Sequence, residues 1–422
     1  MALFLEESDL SPIKDNIDKY VDALTRWEPK KRGKTTAIPS KVTVKGKSYE
    51  DAVANMNHLF LRNQWGDGLP LLPPTEERLQ WIMQGSDLPP DTEIGKVLPK
   101  GGLATVKTLA TALAMAGGRP EYLPVLIAAV EVILDPDEPG IAHQRWQATS
   151  CSSYPVAVVN GPIARQIRLN SGFGLLGPDS LHPAGGSIGR AIRLLLQNAG
   201  GATPGTGTMA MFGLMRFTNA VFAEDEEQYP PGWEPLNVEY FGYPRGTNTV
   251  SMYVVSSATN IFRIGEGTVE EAALTGLYRI ASYMRTPNMN SFHYGYKEGT
   301  PGIVTLSSVV ANQMAEIGWT KEKIKEFLWE NTKTPLSVLE REGLVYEIKR
   351  CELEDTLQDP WPLTGKPENL ILLVAGGRHP THALWMQGAQ CAKAKSGEIK
   401  LPAESKWAEL LKKAEEDLGP LP

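Results

Sequence analysis

Two apolar segments, each closed by a glycine turn, most constrain the fold of this chain. Residues 155–160 (PVAVVN) are β-branched and apolar and end at an Asn-Gly-Pro turn, and residues 369–377 (NLILLVAGG) end at a Gly-Gly turn. Apolar runs of this length, bounded by turn residues, are typical of central strands that are buried on both faces. Because predicted helices alternate with such strands, the sequence predicts an α/β fold with a mixed or parallel sheet flanked by helices and a helical N-terminal segment.

Helices are predicted between and after these strands. Residues 101–135 favour two buried helices around a Gly-Gly-Arg-Pro break, since glycine suits a helix end and proline a helix start. Thr75 is a candidate helix cap, and a further helix is expected after the glycine turn at residues 376–377. Additional elements are predicted as strands at residues 250–256 and 303–306 and as helices at residues 12–26, 183–197, 309–318 and 321–331.

On this basis we divide the chain into four segments. They are an N-terminal arm (1–47), a helical region (48–150), an α/β core with a Gly-rich loop (151–300) and a C-terminal α/β half (301–422). No internal repeat is evident in the sequence.

Composition excludes several classes of function. The chain has 422 residues, of which 42% are hydrophobic and 22% charged, and a formal net charge of -7. This diffuse acidic balance argues against a dedicated nucleic-acid or anionic-membrane binder. The N-terminus lacks the pattern of a secretory signal, and the longest apolar stretch is too short to span a bilayer. Three widely separated cysteines fit a reducing compartment, so we expect a cytoplasmic protein with no membrane or nucleic-acid partner.

Cys151 is the first candidate for chemistry. Serine residues flank it on both sides, and His143 and Arg145 lie shortly upstream. Donor and cationic neighbours lower the pKa of a thiol and make it a better nucleophile. The alternative is a small buried residue at a strand edge. The run Cys-Ser-Ser-Tyr lacks the second thiol of a Cys-x-x-Cys motif, which weakens the hypothesis of dithiol chemistry within the chain.

The densest glycine cluster lies just before and at the start of a predicted helix. Glycine lets backbone amides approach a ligand, and a helix N-terminus favours an anion. Neither the Rossmann nor the P-loop motif is met, and a tight loop packed against the sheet is the alternative. The residues predicted to bind a polar or anionic substrate here are Asn170, Ser171, Gly172, Gly174, Gly185, Gly186, Ser187 and Arg190.

A second anion-binding turn is predicted at Gly376, Gly377 and Arg378. His379 and His382 follow as candidate proton donors. The His-x-x-His spacing would also suit metal ligation from one helix face, but a proline lies between the two histidines and no nearby glutamate completes a zinc-protease pattern. No metal ligand is therefore assigned, and the alternative is a strand-to-helix turn with a capping histidine.

Residues 223–240 (AEDEEQYPPGWEPLNVEY) carry a run of carboxylates between Glu224 and Glu239. Such groups can serve in acid–base or metal chemistry, although an exposed acidic loop is the commoner outcome. Glu234 is the candidate catalytic carboxyl of this segment, because a tryptophan beside it in a rigid turn could form a pocket wall that tunes its pKa.

Several longer stretches resemble a large bacterial family of mostly uncharacterised proteins associated with small UGSC-type (seleno)protein domains. They include DGLPLLPPTEER, AGGRPEYLPVLIAAVEVILD, VNGPIARQIRLNSGFGLLGP and SIGRAIRLLLQNAGGATPG, and the similarity covers roughly residues 65–250 plus the later LLVAGG. The resemblance implies thiol- or selenol-linked chemistry with a small partner subunit, fused or separate. The chain departs from the family's name motif at Cys-Ser-Ser-Tyr, and no catalytic residue is carried over.

The leading hypothesis is a cytoplasmic enzyme that acts on a small polar or anionic substrate and requires no cofactor. Cys151 would be its nucleophile or thiolate ligand, in a site gathered from the three loops. One alternative is a metal-dependent hydrolase or lyase using His and Asp/Glu ligands, and another is a non-catalytic subunit that partners a small thiol or selenol protein. The apolar helices around Met115 and Ile127 could form a homo-oligomer interface, although core packing explains them equally well.

The thiolate hypothesis predicts that Cys151 reacts rapidly with an alkylating agent in the folded protein, with an apparent pKa well below the free-thiol value of about 8.5. Site-resolved alkylation of the three cysteines against pH, read by mass spectrometry, measures this. A Cys151 that stays inert until the protein unfolds would indicate a core or shielded residue instead.

Overall fold

The computed structural model describes residues 9–26, 41–135, 149–150, 153–213, 220–262, 267–285, 297, 299–350, 352–389 and 393–421. The described strands are β1 Glu93–Val97, β2 Gly102–Thr105, β3 Tyr154–Asn160, β4 Ala220–Ala223, β5 Thr249–Phe262, β6 Gly302–Leu306, β7 Ile371–Val374, β8 His382–Gly388 and β9 Lys395–Glu398. The described α-helices are α1 Ser11–Lys14, α2 Ile17–Thr25, α3 Tyr49–Asn63, α4 Glu76–Met83, α5 Val106–Met115, α6 Leu123–Leu134, α7 Ile163–Gln166, α8 Pro183–Asn198, α9 Leu236–Glu239, α10 Val269–Met284, α11 Ser308–Glu316, α12 Lys321–Asn331, α13 Leu336–Arg341, α14 Leu344–Arg350 and α15 Glu404–Leu418.

The fold is α/β, with helices flanking one curled, mixed sheet. β1 and β2 form a separate antiparallel hairpin. The main sheet has the order β4-β3-β5-β8-β6-β7. The long strand β5 pairs with β9 along its first part and with β8 along its later part. The pairs β3–β4 and β6–β7 are parallel, and the others are antiparallel. The predicted α/β class, with a mixed sheet and a helical N-terminal segment, is confirmed.

The order of elements repeats on the two sides of the β5–β8 pair. The first half runs from α6 through β3, α7, α8 and β4 to β5, and the second runs from α10 through β6, four helices and β7 to β8. In each half a parallel pair adjoins an antiparallel strand, and the sheet order is symmetric about the β5–β8 pair. The fold thus contains a topological duplication that the sequence did not reveal. The main sheet includes strands on both sides of the boundary predicted between residues 300 and 301, so the segments 151–300 and 301–422 share one sheet.

Two large hydrophobic cores pack against the main sheet. The larger core joins α5, α6 and α8 to strands of both halves of the sheet, and the second joins α10, α11 and α12 to β6, β7 and β8. Every residue of β3, β4, β6 and β7 is buried, as their continuous apolar sequences require. Among the described helices, none is long and apolar enough to cross a membrane.

The sequence predicted most elements, with one clear error. The Thr75 hydroxyl caps α4, accepting a hydrogen bond from the Arg78 amide at 3.3 Å, as predicted. The helix expected after the glycine turn at residues 376–377 is wrong, because β8 begins at His382. Along β8 the burial alternates at first, with Ala383 and Trp385 turned into the core, which is the period of a strand. The predicted N-terminal helix is divided into α1 and α2.

Two neighbouring glycines in the first turn of α8 have different roles. A Cβ on Gly185 would overlap the carbonyl oxygen of Val221 in β4, so a glycine is needed for the helix to pack this closely on the sheet. A Cβ on Gly186 would meet the Cβ of Pro178 at 3.5 Å, an ordinary contact. Gly185 therefore fits the interpretation of tight packing against the sheet.

We expect Gly185→Ala to destabilise the protein by about 1–3 kcal/mol, because the added methyl must push α8 away from β4. Gly186→Ala is the matched control and should be neutral or stabilising by up to about 1 kcal/mol, because alanine favours a helix over glycine. Urea unfolding of both variants measures the difference. Equal effects of the two substitutions would contradict this packing argument.

Candidate functional site

The carboxyl ends of strands from both halves of the fold meet at one place. The Asp225 amide, just after β4, donates to the Val374 carbonyl at the end of β7 at 2.9 Å. The Gly376 amide donates to the Ser171 carbonyl at 2.7 Å. A cleft of about 800 Å³ opens between these ends. Ligand sites in α/β proteins commonly lie beyond the carboxyl ends of strands, so this cleft is the candidate site.

The turn at residues 170–174 forms one wall of the cleft and is organised by Asn170. This buried side chain accepts a hydrogen bond from the Gly172 amide at 2.8 Å and donates to the Phe173 carbonyl at 2.9 Å. Gly174 has a φ of +70°, which favours glycine. Asn170 and Gly174 shape the turn, whereas Ser171 and Gly172 line the cleft.

A histidine–aspartate pair stands on the same wall. His182, which precedes the first residue of α8, lines the cleft, and its Nδ1 contacts the Asp179 carboxylate. The Leu181 amide also donates to Asp179 at 2.8 Å. The hydrogen bond from His182 is the largest cause of the lowered pKa of Asp179. Because Asp179 engages Nδ1, the other ring nitrogen, Nε2, is left for a proton transfer.

Glu224 contributes a buried carboxylate at the end of β4. Asn160 Nδ2 donates to its Oε2 at 2.6 Å, the Leu236 amide donates to the same oxygen at 2.8 Å, and the Tyr229 hydroxyl donates to Oε1. Burial raises the pKa of Glu224, and the nearby ammonium of Lys321 opposes that shift. The acidic segment is thus no simple exposed loop, because its first carboxyl is an interior group.

Behind Glu224 lies a network of buried charges. Lys321 and Lys325, both in α12, each form an ion pair with Glu239. Lys321 also donates to the Glu234 carbonyl at 2.8 Å. Burial lowers the pKa of Lys321, and Glu239 and Glu224 oppose that effect. The network therefore connects a wall of the cleft to a helix of the second half.

Three arginines line the cleft, and each has a different environment. Arg165 forms an exposed ion pair with Glu227 at 2.7 Å. Arg168 is buried and donates to the Pro420 carbonyl at 3.0 Å and to the Gly419 carbonyl. Arg378 is exposed and makes no hydrogen bond or ion pair with any residue that the structure describes.

Asp225 and Arg378 both line the cleft, and their charges interact. Burial raises the pKa of Asp225, and the positive charge of Arg378 opposes the shift. Arg378 therefore acts electrostatically on the cleft without being committed to a partner in the described chain. It is the arginine best placed to receive an anion.

A second cavity of about 350 Å³ adjoins the cleft and shares Phe173, Gly376 and Gly377 with it. His379 and His382 line this second cavity. Their Nδ1 atoms lie 3.2 Å apart, and the Thr381 hydroxyl lies 2.9 Å from each of them. These histidines are therefore neighbours, but they belong to the second cavity and do not line the cleft beside His182.

The structure brings together only part of the set predicted from the sequence. Gly376, Gly377 and Arg378 meet Ser171 and Gly172 at the cleft. The residues of the predicted set that do not line either cavity are Asn170, Gly174, Gly185, Gly186, Ser187, Arg190 and Glu234.

Two of these residues, Arg190 and Glu234, are charged and form ion pairs. Arg190 forms a bidentate ion pair with Asp67, at 2.7 and 2.9 Å, and donates to backbone carbonyls of the same loop. Glu234 pairs with Arg245 at 2.7 Å. The guanidinium of Arg190 is thus occupied by a loop distant in sequence, and its predicted contact with an anion finds no support in its position.

Cys151 lies outside the described residues, as do Cys351 and Cys391. Ser153, the first described residue after Cys151, precedes β3 and therefore lies at the end opposite to the cleft. The seven residues of β3 span about 23 Å. The role of Cys151 stays a prediction.

Sequence reasoning missed His182, Asp179 and Arg168. The signal available was Asp-x-x-His directly before the glycine-rich start of α8. Spacing alone cannot show that such a pair closes across a loop. Among the described residues there is no group of three or more His, Cys, Asp or Glu side chains that could hold a metal ion.

Comparison of the chain with protein-family models, with curated proteins and with solved structures gave no match. The resemblance to the UGSC-associated family therefore stays an expectation.

The raised pKa of Glu224 predicts a pH-dependent effect of Glu224→Gln. In the native state Glu224 keeps its proton at pH values where the unfolded chain has lost it, so stability with Glu224 falls as the pH rises above about 4.3 through the native-state pKa. Glutamine does not titrate, so the variant loses no stability from this position as the pH rises. We expect the unfolding free energy of the variant, relative to the native sequence, to grow by up to about 1.4 kcal/mol per pH unit in that window. Urea denaturation at pH 5, 6, 7 and 8 tests this, and a difference independent of pH would contradict it.

Proposed function

We propose that the protein is an enzyme that acts on a small polar molecule carrying an anionic group, bound in the cleft. The observation that carries the proposal is that His182, held by Asp179, lines the same cleft as Arg378. An oriented imidazole and an uncommitted cation facing one cavity are the parts that acid–base catalysis on an anion requires.

Arg378 is the proposed anchor for the anionic group. Guanidinium binds carboxylate and phosphate groups through paired hydrogen bonds. The neighbouring Gly376 has a φ of +93° and no Cβ, so the backbone stays open where a ligand would approach. Arg165 and Arg168 already have partners and would contribute mainly to the local field.

His182 is the proposed general base or acid. The contact of Nδ1 with Asp179 fixes the ring orientation and favours the tautomer that leaves Nε2 as proton acceptor. The four consecutive acids from Glu224 to Glu227 also line the cleft. This mixture of acids and arginines suits a substrate that has both an anionic group and hydrogen-bond donors.

Other parts of the leading hypothesis remain proposals. A nucleophilic role for Cys151, which lies outside the described residues, is proposed only from the sequence. A cytoplasmic location, a homo-oligomer and a small thiol or selenol partner protein are likewise proposed only from the sequence.

The proposal predicts that the protein consumes an anionic metabolite and that His182→Ala slows this by about 10²–10⁴-fold. The full-length chain is incubated with a small-molecule cell extract, and depleted compounds are identified by mass spectrometry. Arg378→Gln should weaken binding, raising the KM for the compound found. His58→Ala and Arg341→Gln are matched controls on exposed parts of α3 and α13 and should retain activity. Unchanged turnover in His182→Ala would overturn the assignment.

A further inference from the structure

The second cavity contains a compact triangle of donor atoms that the proposed function does not use. Its corners are Nδ1 of His379, Nδ1 of His382 and Oγ1 of Thr381. The two imidazole nitrogens are 3.2 Å apart, and the hydroxyl oxygen is 2.9 Å from each. The rings are nearly perpendicular, with an interplanar angle of 85°.

These separations match the spacing of ligands around one metal ion. Zinc–nitrogen bonds are about 2.0–2.1 Å long. Two such ligands lie roughly 3.3 Å apart at a tetrahedral angle and roughly 2.9 Å apart at a right angle, by the geometry of those bond lengths. The observed distances fall within or beside this interval, so the two Nδ1 atoms lie close enough together to bind the same ion.

We propose that His379 and His382 bind one late first-row divalent ion, such as Zn²⁺, Ni²⁺ or Cu²⁺, through their Nδ1 atoms. Imidazole nitrogen is a preferred ligand of these ions. Water, the Thr381 hydroxyl or a substrate atom completes the coordination. Because it concerns other residues and another cavity, the inference does not depend on the role of His182 or Arg378.

A second observation points to a polar occupant of this cavity. Thr305 lines it and is only 2% exposed, and its Oγ1 is buried with no hydrogen-bond partner in the part of the chain that the structure describes. A buried hydroxyl without a hydrogen-bond partner is unfavourable. A water or ligand atom carried by the ion would supply the missing hydrogen bond.

The surrounding structure holds both histidines in place. The Ser307 hydroxyl donates to the His379 carbonyl at 2.6 Å. His382 is the first residue of β8, opposite Phe262 of β5, and its ring stacks on that phenylalanine. The donor pair is therefore fixed by two different elements, which lowers the cost of organising it around an ion.

The competing explanation is a hydrogen-bonded cluster that holds no metal. One imidazole N–H and the Thr381 hydroxyl could satisfy the three atoms in a chain. Thr381→Val separates the two explanations, because it removes the hydroxyl link but leaves both imidazole nitrogens. A metal site should keep most of its affinity in this variant.

The test uses the full chain, purified without a histidine tag and stripped with a chelator. Calorimetric titration with ZnCl₂ should give one site per chain, and electron paramagnetic resonance after adding CuCl₂ should show coupling to imidazole nitrogen. His379→Ala and His382→Ala should each weaken binding by about tenfold or more, since a ligand contributes at least as much as the groups that orient it. His58→Ala should bind as the native chain does.

Circular dichroism and thermal unfolding check that the variants are folded, and His382→Gln is the conservative substitute where alanine unfolds the chain. Zinc affinity in both histidine variants that is unchanged from the native chain, or no binding at one ion per native chain, overturns the proposal. Since His182 lines a different cavity, a native chain that turns over its substrate but binds no metal ion would reject this inference and leave the proposed function standing.

Discussion

The candidate site depends on the contact between the ends of β4 and β7. In a flat sheet of this order the two strands would be at opposite edges, but the sheet is curled, and the Asp225 amide reaches the Val374 carbonyl. The hydrogen bond from Gly376 to Ser171 continues this junction into the turn beyond. Without it the cleft would have no second wall. The site therefore results from joining two similar halves.

The same junction requires buried charge. Glu224 belongs to the first half and the ammonium of Lys321 to the second, and desolvation disfavours the charged form of each. A buried ion is tolerated when hydrogen bonds and opposite charges replace its water. Glu224 has three donors, and Lys321 has Glu239 and a backbone carbonyl. Removing one member leaves the others uncompensated, so the network favours this arrangement of the halves over alternatives.

The sequence allowed the strands to be predicted because continuous apolar runs are a local signal. It failed at β8, where HALWMQG follows a glycine turn and mimics a strand-turn-helix pattern. The turns around Gly172 and Gly376 were expected to meet, and they do. The role of Arg190 could not be predicted, because its partner Asp67 is 123 residues away. Local patterns identify elements, whereas ion pairs between distant loops depend on the tertiary fold.

The division of the site into two cavities depends on the lack of a side chain at Gly377. Phe173 is 71% exposed, yet its ring occupies the space that a Cβ on Gly377 would need. Both residues line both cavities, so they form the partition between the charged cleft and the histidine-lined cavity. A larger residue in place of Gly377 would displace the ring and merge or block the two spaces. The glycine pair of the LLVAGG stretch is thus explained by contact with a neighbouring turn as much as by its own backbone conformation.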